Sequence, residues 1–259
     1  MTDRALSFDA VAGQYDAARP GYPPSLFDAV EELSGRPLRG SRVVDVGAGT
    51  GISTRLLRER AADVTAVEPG PGMAARLRRT LPHTPLVRAL GDALPIADAS
   101  VDLVTYAQSW HRTDPARSVP EALRVLRPGG ALALWWNVAD PAVPWVAAQE
   151  ERLHLVAGAG VHNPGGRRRE GLPGDLPLVR RELRWTRTVP LDTHLANLGS
   201  HSVFRVLGDD ATAAHLAAER TELLKVFPAG TVEEAYVVEL AVTLRPAVSS
   251  VVEGPSSGA

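Results

Sequence analysis

The segment from Val43 to Gly51, VVDVGAGTG, joins an apolar run to three closely spaced glycines. Gly47, Gly49 and Gly51 carry no Cβ, so their backbone can adopt unusual dihedrals and lie directly against a ligand. The amides at the start of a following helix would point at the same place. The alternative is a tight turn that binds nothing. On its own, therefore, the segment indicates only that the backbone can approach a small molecule closely.

Three carboxylates accompany this turn at successive apolar runs. Asp45 lies inside the first run, where an acid is costly unless its oxygens are hydrogen-bonded. Glu68 ends the second run, 21 residues after Gly47, and its two oxygens can accept from both hydroxyls of a ribose. Asp92 follows the third run and can accept from an adenine amino group, with Ala93 beside the ring. Each acid alone could cap a helix or face solvent, but the three together favour a nucleoside site.

A dinucleotide is the competing ligand for such a turn. Its usual motif is G-x-G-x-x-G, in which the third glycine permits tight helix packing beside a pyrophosphate. Here the spacing is G-x-G-x-G, and Ile52 stands where the third dinucleotide glycine would be. This departure weakens the interpretation as a nicotinamide site.

The first 138 residues alternate between patterns typical of strands and of helices. RVVDVG, DVTAVEP, PLVRALGD, SVDLVTYAQ and ALALWWNV predict strands. SLFDAVEELS, STRLLRERA, PGMAARLRRTL and DPARSVPEALRVL predict helices, the last with Asp114 as the cap before Pro115, and RPGG predicts a turn. This alternation indicates an α/β fold, a parallel sheet with helices on both faces.

The second half of the chain is less regular. Residues 144–157, LDTHLANLGSHSVF and DDATAAHLAAERTELLKVF predict helices, whereas LVRRELRWTRTVP and EEAYVVELAVTLRP predict strands. Residues 158–175 predict a loop rich in glycine and arginine, and residues 247–259 predict a disordered tail.

The composition narrows the possible partners. The 259 residues carry a net charge of −2, without the basic surplus of a nucleic-acid-binding protein. There are no cysteines, no apolar run of transmembrane length and no apolar run typical of a signal peptide. Histidine and carboxylate spacing suggests no metal site. We therefore expect a cytoplasmic protein, a monomer or homodimer, that binds no nucleic acid, membrane or metal.

Four segments in order, VVDVGAGTG, AVEPGPGM, GDALPIADASVDLVTYAQSWH and EALRVLRPGGALAL, resemble the class I S-adenosylmethionine-dependent methyltransferases. The chain is most similar to the type-11 group, which includes trans-aconitate methyltransferase-like proteins, and FDAVAGQYDAARPGYP resembles that group's opening segment. The resemblance covers nearly the whole chain. It implies S-adenosylmethionine as cofactor and a Rossmann-like, seven-stranded, mostly parallel sheet whose last strand is antiparallel.

The resemblance also implies a cofactor-binding set, in which the glycine turn lies against the methionine moiety and Glu68 holds the ribose. Pro69 and Met73 would flank the adenine. Arg19 would pair with the cofactor carboxylate, although a surface salt bridge is the alternative. The full set is Tyr15, Arg19, Asp45, Gly47, Ala48, Gly49, Glu68, Pro69, Met73, Asp92, Ala93 and Gln108.

The implied reaction is displacement at an activated methyl group, for which the protein must hold a nucleophile in line with the departing sulfur. AQSWHRTDP, after the fourth strand, would face that methyl group, and His111 is the candidate base because its ordinary pKa of about 6.5 is close to working pH. A structural role in orienting the loop is the alternative. The residues expected to contact substrate are Ser109, Trp110, Trp136 and His201.

We expect one methyltransferase domain at residues 1–246. It divides into an N-terminal lid and helix (1–40), a cofactor-binding core (41–138), a substrate cap with late helices (139–230) and a last strand (231–246). The expected activity is methylation of a small-molecule acceptor at oxygen, nitrogen or carbon, in specialised metabolism. Non-methylating chemistry such as cyclisation, and cofactor binding without catalysis, remain alternatives because fold does not fix function.

Overall fold

Seven strands of the described part of the chain form one sheet. The computed structural model describes residues 18–157, 176–201 and 203–246. The predictions for Tyr15, for the loop at 158–175 and for the tail at 247–259 lie outside these ranges. The strands are β1 (Arg42–Val46), β2 (Asp63–Val67), β3 (Leu86–Val87), β4 (Val101–Ala107), β5 (Leu126–Ala139), β6 (Val179–Pro190) and β7 (Thr231–Leu244).

The strands are arranged in the order β3-β2-β1-β4-β5-β7-β6. Strands β1 to β5 pair in parallel, whereas β7 runs antiparallel to both of its neighbours, β5 and β6. The prediction of a mostly parallel sheet with an antiparallel last strand is confirmed. The chain's strand order reverses between β1 and β4, and such a reversal opens a crevice at the carboxyl ends of these strands.

Helices connect the strands and also form a separate group late in the chain. They are α1 (Pro24–Ser34), α2 (Ile52–Glu59), α3 (Pro71–Thr80), α4 (Pro115–Val125), α5 (Pro144–Ala157), α6 (Leu191–Gly199), α7 (Phe204–Leu207) and α8 (Asp209–Val226). Helix α4 begins as predicted, because Asp114 Oδ1 accepts a hydrogen bond from the Ala116 amide at 3.1 Å and Pro115 fills the first helical position.

Both faces of the sheet are covered by helices, as predicted. Adjacent residues of a strand point to opposite faces. Val43 therefore packs in one buried cluster with side chains of α1 and α2, while its neighbour Val44 packs in another with side chains of α4. Burial on both faces is the reason that the inner strands are continuously apolar in the sequence.

Three local predictions were wrong. The third strand consists of Leu86–Val87 alone, because only these residues pair with β2, and the following residues form a loop instead. The RPGG segment lies inside β5, where the pairing with β4 shifts its register. The helix predicted through residue 204 ends at Gly199, and α7 begins separately at Phe204.

The late helices pack on each other and on β7. Leu153 of α5, Leu198 of α6 and Phe204 of α7 share one buried cluster. Leu223 of α8 and Val232 of β7 belong to a second cluster with α6. These contacts attach the helical group to the end of the sheet that holds β6 and β7, while the predicted domain boundaries stay predictions.

Candidate active site

A cleft opens at the carboxyl ends of β1, β2 and β4, beside the reversal in strand order. Its volume is about 1310 Å³, a figure that includes space open to solvent. Its wall contains these residues of the predicted sites: Arg19, Gly47, Ala48, Gly49, Glu68, Pro69, Met73, Asp92, Gln108 and Ser109.

The glycines of the turn serve two different purposes. Gly47 has a φ of +70°, and an added Cβ would lie 2.5 Å from Ser109 Cβ, so this position must stay bare for the turn to pack on the residues after β4. Ser109 in turn donates from Oγ to the Val46 carbonyl at 2.6 Å. Gly49 has a φ of +59°, but a Cβ there would meet no atom within 4 Å in the part of the chain that the structure describes. Gly47 is thus required by protein packing, whereas Gly49 faces open space in the cleft.

Glu68 is a buried carboxylate fixed by two backbone amides. Its Oε2 accepts from the Gly49 amide and its Oε1 from the Gly70 amide, each at 2.8 Å. The side chain therefore connects the glycine turn after β1 to the residues after β2. Glu68 also lines the cleft, and a carboxylate oxygen is the kind of acceptor that ribose hydroxyls can bond to.

Asp92 presents a carboxylate oxygen that no described protein group satisfies. Its Oδ2 lies 3.4 Å from Arg117 Nη1, whereas its Oδ1 is buried and has no hydrogen-bond partner among the described residues. A buried acceptor without a partner costs about 1–3 kcal/mol. A ligand amine in the cleft would remove that cost, and the amino group of an adenine has the required chemistry.

Asp45 is held entirely by the protein. It is fully buried, and its two oxygens accept from Thr54 Oγ1 at 2.7 Å and Thr105 Oγ1 at 2.9 Å. Burial raises the pKa of Asp45, and the hydrogen bonds from the two threonines only partly offset this effect. The carboxyl group joins β1 to α2 and β4, and it does not line the cleft as a cofactor contact would.

The residues after β4 divide between the cleft and the core. Gln108 lines the cleft with a φ of +57°, rare for a residue with a side chain, and its Nε2 donates to the Asn137 carbonyl at 2.9 Å. Trp110 is instead fully buried and packs edge-on against Tyr106 at 4.8 Å between ring centroids. His111 is exposed and lies outside the wall of the cleft, with Arg112 Nε 3.4 Å from its Nε2.

The other predicted contacts also lie away from the cleft wall. Trp136 is buried in the same core cluster as Trp110, so neither indole ring is available to a substrate in this structure. Ala93 is exposed and His201 is partly exposed, and neither contributes to the wall.

Several residues of the wall were not among the predicted sites. Arg112, Thr113 and Asp114 line the cleft immediately before α4, and Tyr22 lines it beside Arg19. Tyr22 packs edge-on against Trp135, with 6.0 Å between the ring centroids. The position of residues 112–114 between a strand and a helix placed them at this edge of the sheet. Tyr22 had no comparable sequence signal.

Within residues 18–157, 176–201 and 203–246 no group of three or more His, Asp or Glu side chains could hold a metal ion. None of the helices in these ranges is both long enough and apolar enough to cross a membrane.

Comparison with known proteins gives one consistent result. A sequence family described as a methyltransferase domain matches residues 44–134. An uncharacterised methyltransferase of Mycobacterium tuberculosis is 42% identical over 185 residues, covering 71% of this chain and 72% of that protein. A demethylmenaquinone methyltransferase of Beutenbergia cavernae is 34% identical over 151 residues, covering 56% of this chain and 62% of that protein. A solved structure described as a type II methyltransferase of Anaeromyxobacter dehalogenans has a TM-score of 0.67 and 28% identity, covering 87% of this chain and 97% of that one.

Proposed function

The chain belongs to the S-adenosylmethionine-dependent methyltransferases, and from that premise we propose that its cleft binds S-adenosylmethionine and a small-molecule acceptor. The observation that carries the proposal is that Glu68 and Asp92 both line the cleft. Glu68 is fixed where it can accept from ribose hydroxyls. The buried Oδ1 of Asp92, which has no hydrogen-bond partner among the residues that the structure describes, can accept from an adenine amine. The open space beside Gly49 leaves room for the methionine moiety.

The remaining cofactor contacts follow from the same placement. Pro69 and Met73 line the cleft next to Glu68 and would flank the adenine ring, while Arg19 would meet the methionine carboxylate. Gln108, held by the Asn137 carbonyl, lies where β4 ends and would border the reacting groups. S-adenosylmethionine supplies a methyl group that its sulfonium sulfur already activates. The task of the chain is then to orient the acceptor and exclude water.

A small-molecule acceptor is supported by charge and by one relative. The net charge of −2 does not favour a polyanionic acceptor. The Beutenbergia cavernae relative is named for methylation of demethylmenaquinone, which is a small molecule. The methylated atom, oxygen, nitrogen or carbon, and a role in specialised metabolism stay predictions.

The role of His111 as general base or substrate contact also stays a prediction. Its ring is exposed and one residue away from Arg112, which does line the cleft. If His111 takes the acceptor's proton, His111→Ala lowers turnover and leaves affinity for S-adenosylhomocysteine, the demethylated product, unchanged. Full activity in the variant excludes this role.

Methyl transfer is tested with S-adenosylmethionine that carries a labelled methyl group and a panel of hydroxyl, amine and carbon-nucleophile acceptors. The proposal predicts transfer of label to one acceptor class by the native chain. It also predicts that Glu68→Ala reduces the transfer and that Glu59→Ala, a control on the exposed end of α2, does not. Tight S-adenosylhomocysteine binding without transfer to any acceptor contradicts the methylation step and favours the non-methylating alternatives.

A further inference from the structure

A second buried carboxylate lies outside the cleft, on β7. Glu234 is 1% exposed and gathers three partners. Its Oε1 lies 2.7 Å from His194 Nδ1, and its Oε2 lies 2.5 Å from Arg187 Nε and 2.8 Å from the Tyr236 hydroxyl. Burial by itself would raise the pKa of Glu234, but the hydrogen bonds from His194 and Arg187 outweigh burial and hold this pKa below its ordinary value. Glu234 is therefore a fixed negative charge in the folded chain.

The position of Glu234 is also fixed from the side of the late helices. His194 Nε2 lies 3.0 Å from Gln149 Nε2, and Gln149 donates to Glu219 Oε2 at 3.3 Å. Arg152 forms two hydrogen bonds with the buried Glu219. The polar chain thus runs from α5 and α8 through α6 to β7, and Glu234 has little freedom to move.

Arg187 extends this network to the start of the described chain. Its Nη2 donates to the Ala18 carbonyl at 2.7 Å and its Nη1 to the Arg19 carbonyl at 3.2 Å. The same guanidinium therefore holds Glu234 on one side and two consecutive backbone carbonyls on the other. Arg19 lines the cleft, and its Nη2 also donates to the Ser200 carbonyl at 3.3 Å.

We propose that Arg187 is a positioning residue for the cofactor site, holding the backbone at Ala18 and Arg19 so that the Arg19 side chain reaches the cleft. This inference rests on the proposed function, because it assumes that the cleft binds S-adenosylmethionine. The planar fork of a guanidinium can serve a carboxylate and two carbonyls together, whereas a lysine ammonium retains the charge but lacks that geometry. Arg187 therefore has two roles: it neutralises the charge of Glu234, and it holds the backbone carbonyls of Ala18 and Arg19.

Arg187→Lys tests the inference, because it keeps a cation beside Glu234 and removes the fixed geometry toward the two carbonyls. Arg184→Lys is the matched control on the same strand, where the native arginine makes a half-exposed pair with Asp140 through one hydrogen bond. Calorimetry with S-adenosylhomocysteine should show Kd raised about tenfold in Arg187→Lys, as the loss of one to two such bonds predicts, and unchanged in Arg184→Lys. With S-adenosylmethionine, KM should rise while kcat stays close to the native value.

A double-mutant cycle distinguishes positioning from general structural support. If Arg187 acts through Arg19, the variant Arg19→Met/Arg187→Lys has the Kd of Arg19→Met alone, because contacts in one network are not additive. If the two substitutions raise Kd by the product of their separate effects, or if kcat falls while KM is unchanged, the inference is overturned. Glu234→Gln should also raise Kd, because it removes the charged partner of Arg187. This variant tests the inference if Arg187→Lys folds poorly. A native chain that binds no S-adenosylhomocysteine contradicts the proposed function itself, whereas native binding matched by Arg187→Lys contradicts this inference alone.

Discussion

Gly49→Ala separates the cost of a strained backbone from the cost of a blocked ligand site. Gly49 has a φ of +59°, and its added Cβ would enter the cleft without meeting any atom of the described residues within 4 Å. The substitution should therefore lower the free energy of unfolding only by the cost of placing an alanine in the left-handed conformation, about 1–2 kcal/mol. For a chain of this size that corresponds to a fall in Tm of roughly 2–8 °C. A cofactor lying against Gly49 would collide with the new methyl group.

Gly40→Ala provides the matched control for this substitution. Gly40 has a φ of +73°, and its added Cβ also meets no described atom within 4 Å, but Gly40 does not line the cleft. The two variants should lose similar stability in thermal unfolding followed by circular dichroism. In calorimetry with S-adenosylhomocysteine, Gly40→Ala should bind as the native chain does. Gly49→Ala should bind roughly 5- to 150-fold more weakly, since overpacking by one methyl costs about 1–3 kcal/mol.

Equal affinity in the two alanine variants would refute the reasoning, because it would mean that no ligand atom approaches Gly49. A much larger stability loss in Gly49→Ala than in Gly40→Ala would refute it differently, by showing that the space beside Gly49 is occupied by protein. Gly47→Ala adds a contrast, since its Cβ would lie 2.5 Å from Ser109 Cβ and should lower stability more than either variant.

Two further predictions concern the carboxylates of Asp92 and Glu234. Asp92→Asn should weaken S-adenosylhomocysteine binding about tenfold in calorimetry with little change in Tm, because one acceptor for the adenine amine is lost; unchanged affinity would remove that contact. Glu234→Gln should remove a pH-dependent part of the unfolding free energy: with the native pKa below the ordinary 4.5, only the unfolded chain binds a proton between the two values. In urea unfolding, the native chain should be more stable than the variant by its full margin above about pH 5, and this margin should shrink as pH falls through the native pKa. A margin that grows in acid would contradict the assignment.

The parts of the site with a local cause could be predicted from the sequence. The glycine turn follows a buried strand, and backbone geometry near it depends on neighbouring residues, so Gly47 and Gly49 could be placed before the fold was known. Glu68 and Asp92 could be placed because the carboxyl ends of parallel strands meet at one edge of the sheet. Ordinary alternation of strand and helix was enough to predict the order of most elements.

The parts that depend on distant contacts could not be predicted. Trp110 and Trp136 were assigned to the substrate, but the sequence does not show which large rings fill the core beneath the site. The predicted third strand is longer than β3, because the length of β3 depends on how far it pairs with β2. Arg187 reaches a carbonyl 169 residues away at Ala18, and no local pattern indicates such a bond.

The central claim, that the cleft binds S-adenosylmethionine through Glu68, is tested most directly by calorimetry on the native chain and Glu68→Ala. The proposal predicts that the native chain binds S-adenosylhomocysteine and not NAD. It also predicts that affinity falls at least about tenfold in Glu68→Ala, since a hydrogen bond to a charged group contributes about 1.5–3 kcal/mol. Preference for NAD, or equal S-adenosylhomocysteine affinity in the two proteins, would contradict the claim.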